Sequence, residues 1–555
     1  MATPHQAISP PLSSPARVPG SPVPEARADF LREWKELLGE DFVIADSSAL
    51  KSAETATFQT SQKIPFILRP QTREEVTRIV SLANRQSLKL YPVSSGKNWG
   101  YGSRVPVTSG CALLDLSRMN RITGFNEELG YVTVQPGVTQ QNLFDYLKQR
   151  NSKLWMDATG SHPDCSLIGN AMERGFGHTP YGDHFANVCG LEVVLGDGRV
   201  VRTGYGELPG ARAGNVYRWG VGPSLDGLFS QSNFGIVTEM TIWLMPAPEC
   251  FQAFFFQCER DEDLNSVVEA LRPLRINGTL RSAVHIGNDY KVLAGIQQFP
   301  QGEPMPLTPE RMRELGKEMK FSRWSGSGAL YGSAGQVKEA RRLLRDAMAG
   351  KTKRLQFLDD RMLALATRFR TVYRMVTGLD LTRTLELLRP VYGLLKGVPT
   401  RKTLSSAYWR KNMAVPENPD PDRDGCGLLW LAPVAPMEGA AAREVVAMAE
   451  RTLLAWGFEP QISITLLTER ALACIISLAY DRDVPLEDQK AMSCFRDLEN
   501  QLEGRGYFSY RLGIVGMNLF KRNTAYGQLL CALKEAMDPN GILAPGRYVP
   551  AEAGR

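Results

Sequence analysis

A chain of 555 residues is too long for one ordinary hydrophobic core, and its 43% of hydrophobic residues are enough to fill two domains. Its net charge of +6 includes no Lys/Arg block of the kind that binds nucleic acid, and no apolar run approaches the roughly 20 residues of a membrane-spanning helix. The nine cysteines are scattered without a CxxC pair, which argues against a zinc site or a disulfide framework and favours reduced thiols in a cytoplasmic protein.

The N-terminal residues 1–28 are rich in Pro, Ser and Ala and lack the apolar stretch of a signal peptide, so we predict a disordered tail. An amphipathic helix is expected over residues 29–38. Farther along, Thr72 and Glu75 have the spacing of a capping box, and apolar residues recur at i, i+3, i+4 and i+7 from Val76. This pattern predicts a helix that packs one face on a sheet.

A loop rich in glycine and serine follows the short apolar run at residues 88–91 and extends to Gly102. Glycine adopts positive φ at little cost, so the backbone N–H groups of residues 94–99 can form one concave anion site, or nest, suited to a diphosphate. The simpler interpretation is a surface turn between two strands. A second glycine-dense stretch at residues 169–184 favours the nest, because two such loops indicate one large ligand.

The elements that follow end at a proline-rich break at residues 245–248, where we place a domain boundary. Asp197-Gly198 is a hairpin signal, since glycine supplies the positive φ that the turn requires. The predicted elements are strands at 111–116, 131–134, 191–195, 199–202 and 236–244, a turn at Pro136-Gly137 and a helix at 139–149.

Beyond the boundary, the order strand, helix, strand occurs once and then returns in a similar form, which predicts two units side by side in one antiparallel sheet. The first unit comprises 251–257, 261–274 and 282–286, and the second comprises 427–432, 441–456, 461–467 and 472–480. Residues 339–384 have a mostly helical pattern, residues 412–425 a loop pattern, and residues 523–537 a helical pattern that ends at Asp538-Pro-Asn-Gly541.

Four stretches, at residues 92–102, 169–184, 230–237 and 538–547, together resemble the FAD-linked oxidases of the vanillyl-alcohol oxidase and p-cresol methylhydroxylase (PCMH) type. The resemblance extends from near Ala56 to near Pro550. It implies an α+β fold in which a PCMH-type FAD-binding domain carries an inserted cap domain, built on an antiparallel sheet flanked by helices. The expected divisions are a tail at 1–28, an FAD-binding domain at 29–247, a substrate or cap domain at 248–505, and a segment at 506–555 that returns to the FAD-binding domain.

The cofactor implied by this resemblance is FAD, bound through the nest. The chain has no GxGxxG motif after a strand, so a Rossmann-type flavin site is not expected. His162 and His178 fall in the flavin loops without a carboxylate at ligand spacing, so no metal site is predicted. The residues expected to contact FAD are Ser94, Ser95, Gly96, Lys97, Asn98, Trp99, Gly100, Pro136, Gly137, Gly160, Ser161, Cys165, Ser166, Gly169, Asn170, Glu173, Gly177, His178, Thr179, Tyr181, Gly182, Gly235, Ile236, Val237 and Arg547.

Members of this family often bond the flavin 8α carbon to a His or Tyr of the cap. The matching stretch here, residues 469–476, offers Ala473 and Cys474 instead. Cys165 lies where berberine-bridge-like relatives place a flavin-linked cysteine, but Asn98 replaces their partner histidine. We therefore expect noncovalent FAD, with a Cys165 linkage as the alternative and a buried inert thiol as the simpler role of this cysteine.

The resemblance also implies a phenol site. Tyr101, Tyr510 and Arg511 match the two tyrosines and the arginine that bind the phenolic oxygen in vanillyl-alcohol oxidase. Hydride loss from the benzylic carbon of a para-alkylphenol gives a p-quinone methide and is easiest from the phenolate, which two hydroxyls and a cation would stabilise. Without the resemblance, Tyr510 and Arg511 would be assigned to an ordinary strand. An acid near the flavin could be Asp157, Asp164 or neither, so alcohol, aldehyde and alkene products all remain open.

The sequence is thus interpreted as that of an FAD-dependent oxidase, dehydrogenase or hydroxylase acting on phenolic CH or CH-OH groups. One alternative is an FAD enzyme acting on a sugar lactone or hydroxy acid, and another is a flavin-binding protein without a redox role. The electron acceptor would be O2 or an electron-transfer protein such as a cytochrome, and no CxxCH haem motif is present in the chain. A homodimer is expected by resemblance alone.

Overall fold

The computed structural model describes residues 24–368 and 381–550. Most of the predicted tail, the middle of the helical pattern at 339–384 and the last five residues of the chain lie outside the described residues. The first helix, Pro24–Leu38, begins before the start predicted at Asp29. Within the described residues, no helix is both long enough and apolar enough to cross a membrane.

The strands form a small mixed sheet, two antiparallel sheets and one short pair. In chain order they are β1 Val43–Ile44, β2 Ile67–Leu68, β3 Leu90–Val93, β4 Ala112–Asp115, β5 Ile122–Asn126, β6 Tyr131–Val134, β7 Leu154–Trp155, β8 Val188–Leu195, β9 Val200–Arg202, β10 Gly235–Trp243, β11 Met245–Pro246, β12 Cys250–Cys258, β13 Val284–Asn288, β14 Trp324–Gly332, β15 Arg354–Leu358, β16 Cys426–Leu431, β17 Val434–Pro436, β18 Gln461–Leu466 and β19 Ala471–Asp481.

The helices mostly cover the sheets on one face. In chain order they are Pro24–Leu38, Ser47–Ala53, Arg73–Arg85, Gln140–Gln149, Leu167–Met172, Asp226–Phe229, Asp263–Ile276, Asp289–Ile296, Pro309–Met319, Ala334–Met348, Asp360–Arg368, Leu381–Leu394, Gly439–Ala455, Glu487–Gly504 and Ala525–Met537. The helix predicted from the capping-box spacing begins at Arg73, with the Thr72 side chain accepting from the backbone N–H of Glu75. Its residues Val76, Ile79, Val80 and Ala83 are buried, as the periodicity predicted.

The first sheet has the order β1-β2-β4-β3, and β3 runs parallel to β4. A buried core that contains Leu90, Leu114 and Ile79 packs against this sheet, and the glycine-rich loop follows the end of β3. The C-terminal segment adds to this sheet, because Leu90 exchanges backbone hydrogen bonds with Ile542 and Ala544. The predicted hairpin at Asp197-Gly198 is also present, joining β8 to β9 with Gly198 at φ 88°.

The largest sheet is antiparallel and follows the order β15-β12-β14-β13-β18-β19-β16, with β17 on β19. The two predicted strand–helix–strand units meet in it where β13 pairs with β18. Helices Asp263–Ile276 and Gly439–Ala455 share one hydrophobic core on one face of this sheet. The mostly helical pattern predicted for 339–384 is interrupted by β15, which pairs with β12 as an edge strand because its neighbour supplies the backbone partners.

Candidate active site

The loop after β3, residues 94–102, which we call the nest loop, has the backbone geometry of an anion site. Gly96 and Gly100 have φ values of 69° and 79°. The backbone N–H groups from Ser95 through Trp99 donate to no protein acceptor among the described residues. The loop closes on itself because Tyr101 and Ser103 both donate from their backbone N–H to the carbonyl oxygen of Asn98. Consecutive free N–H groups around a tight turn fit a diphosphate, so these residues suit FAD.

The nest loop is held against the start of the helix Leu167–Met172. The Ser166 backbone N–H donates to Ser95 Oγ at 3.1 Å, and Ser166 Oγ donates to the Pro136 carbonyl at 2.6 Å. A Cβ atom on Gly169 would lie 2.4 Å from Ser94 Oγ, and one on Gly137 would lie 2.2 Å from a backbone oxygen. Glycine at position 169 therefore allows the close approach of the two loops that were predicted to share one ligand, and glycine at position 137 allows the backbone to approach Ser117.

Lys97 and Trp99 connect the nest loop to the loop that precedes β16. Lys97 Nζ lies 2.9 Å from Asp420 Oδ2 and 5.0 Å from the centre of the Trp99 ring. The Trp99 ring is buried and contacts the ring of His162 edge-on, with centroids 5.9 Å apart. Lys97 and Trp99 were both predicted to bind the cofactor. The sequence did not indicate that Lys97 would pair with Asp420, which lies in the loop before β16.

Asp157 organises the second glycine-rich loop. Its carboxylate accepts hydrogen bonds from the backbone N–H groups of His178 and Thr179, the latter at 2.6 Å, and lies 2.8 Å from His184 Nε2. Burial opposes ionisation, but these donors together hold the pKa of Asp157 below its usual range. The carboxylate is thus fully engaged in holding this loop. Asp164, the other acid considered, has a side chain that is 57% exposed.

Several other predicted cofactor residues belong to the same loop. Asn170 Oδ1 lies 2.5 Å from His184 Nδ1, and the Tyr181 backbone N–H donates to Thr179 Oγ1. A Cβ on Gly177 would lie 1.5 Å from Asp157 Oδ1, so only glycine fits there. Gly182 donates from its backbone to Thr179, which closes the turn. These contacts fix the loop shape; none of them by itself places a side chain on a flavin.

Arg511 joins the C-terminal segment to the nest loop. Its Nη2 donates to Asn98 Oδ1 at 2.5 Å, and its guanidinium carbon lies 4.6 Å from the centre of the Tyr101 ring. The hydroxyl of Tyr101 is buried and has no hydrogen-bond partner among the described residues. Burial raises the pKa of Tyr101 well above its ordinary value, and the nearby Tyr510 hydroxyl adds to this. Tyr101 is therefore a neutral donor beside a buried cation.

Tyr510 is fixed at both of its backbone groups. Its N–H donates to the Ala432 carbonyl at 3.1 Å, and its own carbonyl accepts from Gln231 Nε2 at 2.9 Å. The Tyr510 ring contacts Phe176 with centroids 5.6 Å apart. Burial raises the pKa of Tyr510, although Arg511 opposes the rise. The structure thus brings together all three residues that were predicted to bind a phenolic oxygen.

Glu173 lies behind this trio in a buried ion cluster. Its carboxylate is paired with the Arg547 guanidinium, accepts from the Tyr548 hydroxyl at 2.8 Å, and lies 3.6 Å from Arg511 Nε. Arg547 also donates to the Tyr91 hydroxyl at 2.7 Å. Burial opposes ionisation, but Arg547 and Arg511 hold the pKa of Glu173 below its usual range. Glu173 and Arg547 were predicted as cofactor residues, and the structure places them in an ion pair beside Arg511.

The remaining predicted residues occupy different positions. Gly160 accepts a hydrogen bond at its carbonyl from Thr403 Oγ1 at 2.7 Å. Cys165 is a buried free thiol whose pKa is raised by burial, although Ser161 opposes the rise. Gly235, Ile236 and Val237 form the start of β10, with Ile236 buried between sheet and helix. No group of three or more His, Cys, Asp or Glu side chains in the described part of the chain could hold a metal ion.

Two residues near the trio were missed by sequence reasoning. The rings of His285 and His178 have centroids 4.3 Å apart, and His285 Nδ1 lies 3.0 Å from Thr465 Oγ1. Trp430 contacts the Tyr101 ring edge-on, with centroids 5.7 Å apart. His285 and Trp430 come from β13 and β16, so only the pairing of distant strands places them here. β13 alternates buried and half-buried residues, which is a local signal for the face that carries His285, whereas β16 shows no such alternation.

Comparisons with known proteins identify the family to which the chain is similar. Residues 64–204 match the family model described as an FAD binding domain. A 1'-carboxy-chondrochloren decarboxylase of Chondromyces crocatus is 42% identical over 523 residues, which are 93% of this chain and 96% of that protein. The flavoprotein subunit of 4-cresol dehydrogenase (hydroxylating) of Pseudomonas putida is 32% identical over 532 residues, 93% of this chain and 94% of that protein. The crystal structure of p-cresol methylhydroxylase with substrate bound has a TM-score of 0.84 at 30% identity and covers 95% of this chain and 98% of that one.

Proposed function

This chain belongs to the p-cresol methylhydroxylase family of FAD-dependent oxidoreductases, and on that premise we propose that it oxidises a para-substituted phenol. The substrate would be of the 4-alkylphenol or 4-hydroxybenzyl alcohol type, and it would lose a hydride from its benzylic carbon. Two of the similar proteins are named for cresol, which is itself a para-substituted phenol.

The observation that supports this proposal is the arrangement of Tyr101, Tyr510 and Arg511. The Arg511 guanidinium carbon lies 4.6 Å from the ring centre of the buried Tyr101 and next to the half-buried Tyr510, and the Tyr101 hydroxyl forms no hydrogen bond in the described part of the chain. Such a site stabilises an oxyanion, because two hydroxyl donors and a fixed cation act together where solvent is excluded. A sugar lactone has no ionised oxygen for Arg511 to stabilise. A hydroxy acid would place its carboxylate there, so the substrate comparison below is what separates it from a phenol.

The chain's own residues account for the activation of the substrate. Arg511 and the two tyrosine hydroxyls lower the pKa of the bound phenol by favouring its ionised form. Asn98 fixes the direction of the Arg511 fork through its 2.5 Å contact, and Glu173 balances the cationic charge from behind. FAD bound along the nest loop supplies the two-electron acceptor for the benzylic hydride. The substrate is left as a p-quinone methide, which is neutral at the former phenolic oxygen.

The structure offers no free acid for the next step among the acids considered. Asp157 is engaged by three donors of the second glycine-rich loop, namely the His178 N–H, the Thr179 N–H and His184 Nε2, and Asp164 extends to the surface. The p-quinone methide can then add water, lose a proton to give an alkene, or lose CO2 where a carboxylate lies on the carbon next to the benzylic one. We include the last outcome because one similar protein is named a decarboxylase.

Anaerobic mixing of the flavin-loaded protein with substrate panels tests the proposal. A para-alkylphenol should bleach the flavin, whereas sugar lactones and 2-hydroxy acids should not. Bleaching by lactones or hydroxy acids alone would favour the alternative substrate class, and no bleaching by any of the three would favour a protein without a redox role. The acceptor in turnover would be O2 or an electron-transfer protein such as a cytochrome, and a homodimer is the proposed assembly.

A further inference from the structure

The face of the largest sheet opposite the core of helices Asp263–Ile276 and Gly439–Ala455 carries a group of polar side chains. Along β13, β18 and β19, residues such as Ile286, Ile464 and Ile476 belong to the hydrophobic core under the helices. Side chains alternate along a strand, so their neighbours point to the other face of the sheet. We call this surface the inner polar face, and it includes His285, Ser325, Trp430, Gln461 and Ser477.

Each of these five side chains holds a buried polar atom with no partner among the described residues. They are His285 Nε2, Ser325 Oγ, Trp430 Nε1, both amide atoms of Gln461, and Ser477 Oγ. Buried polar atoms in native proteins are nearly always hydrogen-bonded, since each unmade bond costs free energy. A cluster of them on one surface is therefore expected where a polar ligand binds.

The inner polar face adjoins the proposed phenol site. Trp430 contacts the Tyr101 ring, and a Cβ on Gly100 would lie 3.0 Å from the Trp430 ring. At the other end, His285 contacts His178 of the second glycine-rich loop. A substrate whose phenolic oxygen meets Arg511 would extend its para substituent under this face.

Lys291 is the cation at the edge of this face. Its side chain lies over Gly287, where a Cβ would be 3.7 Å from Lys291 Cγ, and Gly287 shares the face of β13 with His285. Lys291 Nζ donates to Ser406 Oγ at 3.1 Å and forms no ion pair with a described carboxylate. Ser406 lies in a short helical segment, residues 402–408. In the same segment, the Thr403 hydroxyl donates to the carbonyl oxygen of Gly160 in the flavin loops.

Lys291 is a cation that has no carboxylate partner among the described residues. Burial lowers the pKa of Lys291 to about 8, with no neighbouring carboxylate to restore it. A bound anion would raise this pKa again and pair with the ammonium group. The other cation near the phenol, Arg511, is already balanced by Glu173.

We propose that Lys291 and the inner polar face bind the para substituent of the substrate, and that this substituent ends in a carboxylate. The inference rests on the proposed function and narrows it to phenols with an acidic side chain. Lys291 is then a specificity-determining residue. It contacts the carboxylate end of the substrate and takes no part in hydride transfer from the benzylic carbon.

The test compares 3-(4-hydroxyphenyl)propanoate with its methyl ester as reductants of the flavin-loaded protein at neutral pH. We expect the acid to have a second-order rate constant of reduction about 10 to 100 times that of the ester, the factor of one charge-assisted hydrogen bond. Lys291→Met should bring this ratio close to one, and Lys291→Arg should keep most of it. Lys338→Met, on an exposed helix surface, is the matched control and should leave the ratio unchanged.

A ratio near one in the parent protein, or an unchanged ratio in Lys291→Met, would overturn the inference. A separate binding measurement covers the case in which no phenol reduces the flavin. Calorimetry with 3-(4-methoxyphenyl)propanoate and its methyl ester needs no oxidation, because neither can form a quinone methide. A preference for the acid that disappears in Lys291→Met would uphold the anion site even then, and equal binding of acid and ester would reject it.

Discussion

Arg511 donates from Nη2 to the side-chain oxygen of Asn98 at 2.5 Å, which joins residues 413 positions apart in the chain. This contact sets the guanidinium of the C-terminal segment against the nest loop, where it also lies over the Tyr101 ring. The cation of the proposed phenol site is therefore oriented by the same loop whose backbone suits the diphosphate. Cofactor binding and substrate activation share one structural element.

Removing the cation should slow the chemistry without emptying the flavin site. A charge-assisted contact contributes about 1.5–3 kcal/mol, so Arg511→Ala should slow flavin reduction by a para-alkylphenol by roughly one to two orders of magnitude. Arg511→Lys should recover only part of the rate, because a point charge cannot reproduce the fork. Stopped-flow absorbance gives the rates, with Arg313→Ala on the surface as control. A full rate in Arg511→Ala would remove this residue from the mechanism.

The nest loop should depend on glycine at position 96. Gly96 has φ 69°, and a Cβ there would lie 2.5 Å from Arg104, so Gly96→Val should lose most of its flavin. Gly110 is a matched control, since it has φ 85° but nothing within 4 Å of an added Cβ. Gly110→Val should keep its flavin, because it introduces backbone strain without a steric clash at the nest loop. The flavin-to-protein absorbance ratio after purification measures the flavin content of both variants. Equal ratios in Gly96→Val and Gly110→Val would count against the nest.

Glu173 should stabilise the fold in a pH-dependent way. Its pKa in the folded protein lies below that of the unfolded chain, so its contribution is present above the unfolded value and disappears as pH falls through the folded one. Glu173→Gln should lower the free energy of unfolding by about 3 kcal/mol at neutral pH, as expected when one partner of a buried pair is removed. The difference from the parent should shrink below about pH 4.3.

Denaturant unfolding at several pH values measures this effect. Glu339→Gln is the control, because Glu339 pairs with Arg342 on an exposed helix and both side chains are more than half exposed. A difference that stays constant from pH 7 to pH 3 would show that Glu173 acts through packing and not through its charge.

The flavin should be released when the chain is denatured. Cys165 and Cys474 are buried thiols, and burial raises the pKa of Cys474 to about 12. A thiol with a raised pKa is a poor nucleophile, so noncovalent FAD is expected. Acid precipitation followed by absorbance of the supernatant measures release. Flavin that remains on the peptide containing Cys165 would establish the alternative linkage, and flavin on any histidine would show the comparison of the cap residues to be wrong.

The parts that the sequence predicted are those decided by local backbone chemistry. Positive φ at Gly96, the cap at Thr72 and the hairpin at Gly198 follow from residue type and spacing within a few positions. The strand–helix–strand units were predictable for the same reason. The trio of Tyr101, Tyr510 and Arg511 was found through a family resemblance, since no local pattern relates residues so far apart.

The parts that the sequence missed depend on long-range pairing. β15 lies within a stretch whose pattern is mostly helical, and its ladder with β12 makes it a strand. The support of Arg511 by Glu173, and of Glu173 by Arg547 and Tyr548, joins the second glycine-rich loop to the C-terminal tail. No spacing rule relates these positions. The same holds for the inner polar face, which exists only once β13, β14, β18 and β19 lie side by side.

The most direct test of the phenolate mechanism compares a para-alkylphenol with its methyl ether in anaerobic stopped-flow experiments. The ether keeps the shape and the benzylic hydrogens but cannot form an oxyanion or a quinone methide. We predict rapid loss of the oxidised flavin absorbance with the phenol and no reduction with the ether. Equal rates for the two compounds would contradict the mechanism and place the lactone or hydroxy-acid alternative first.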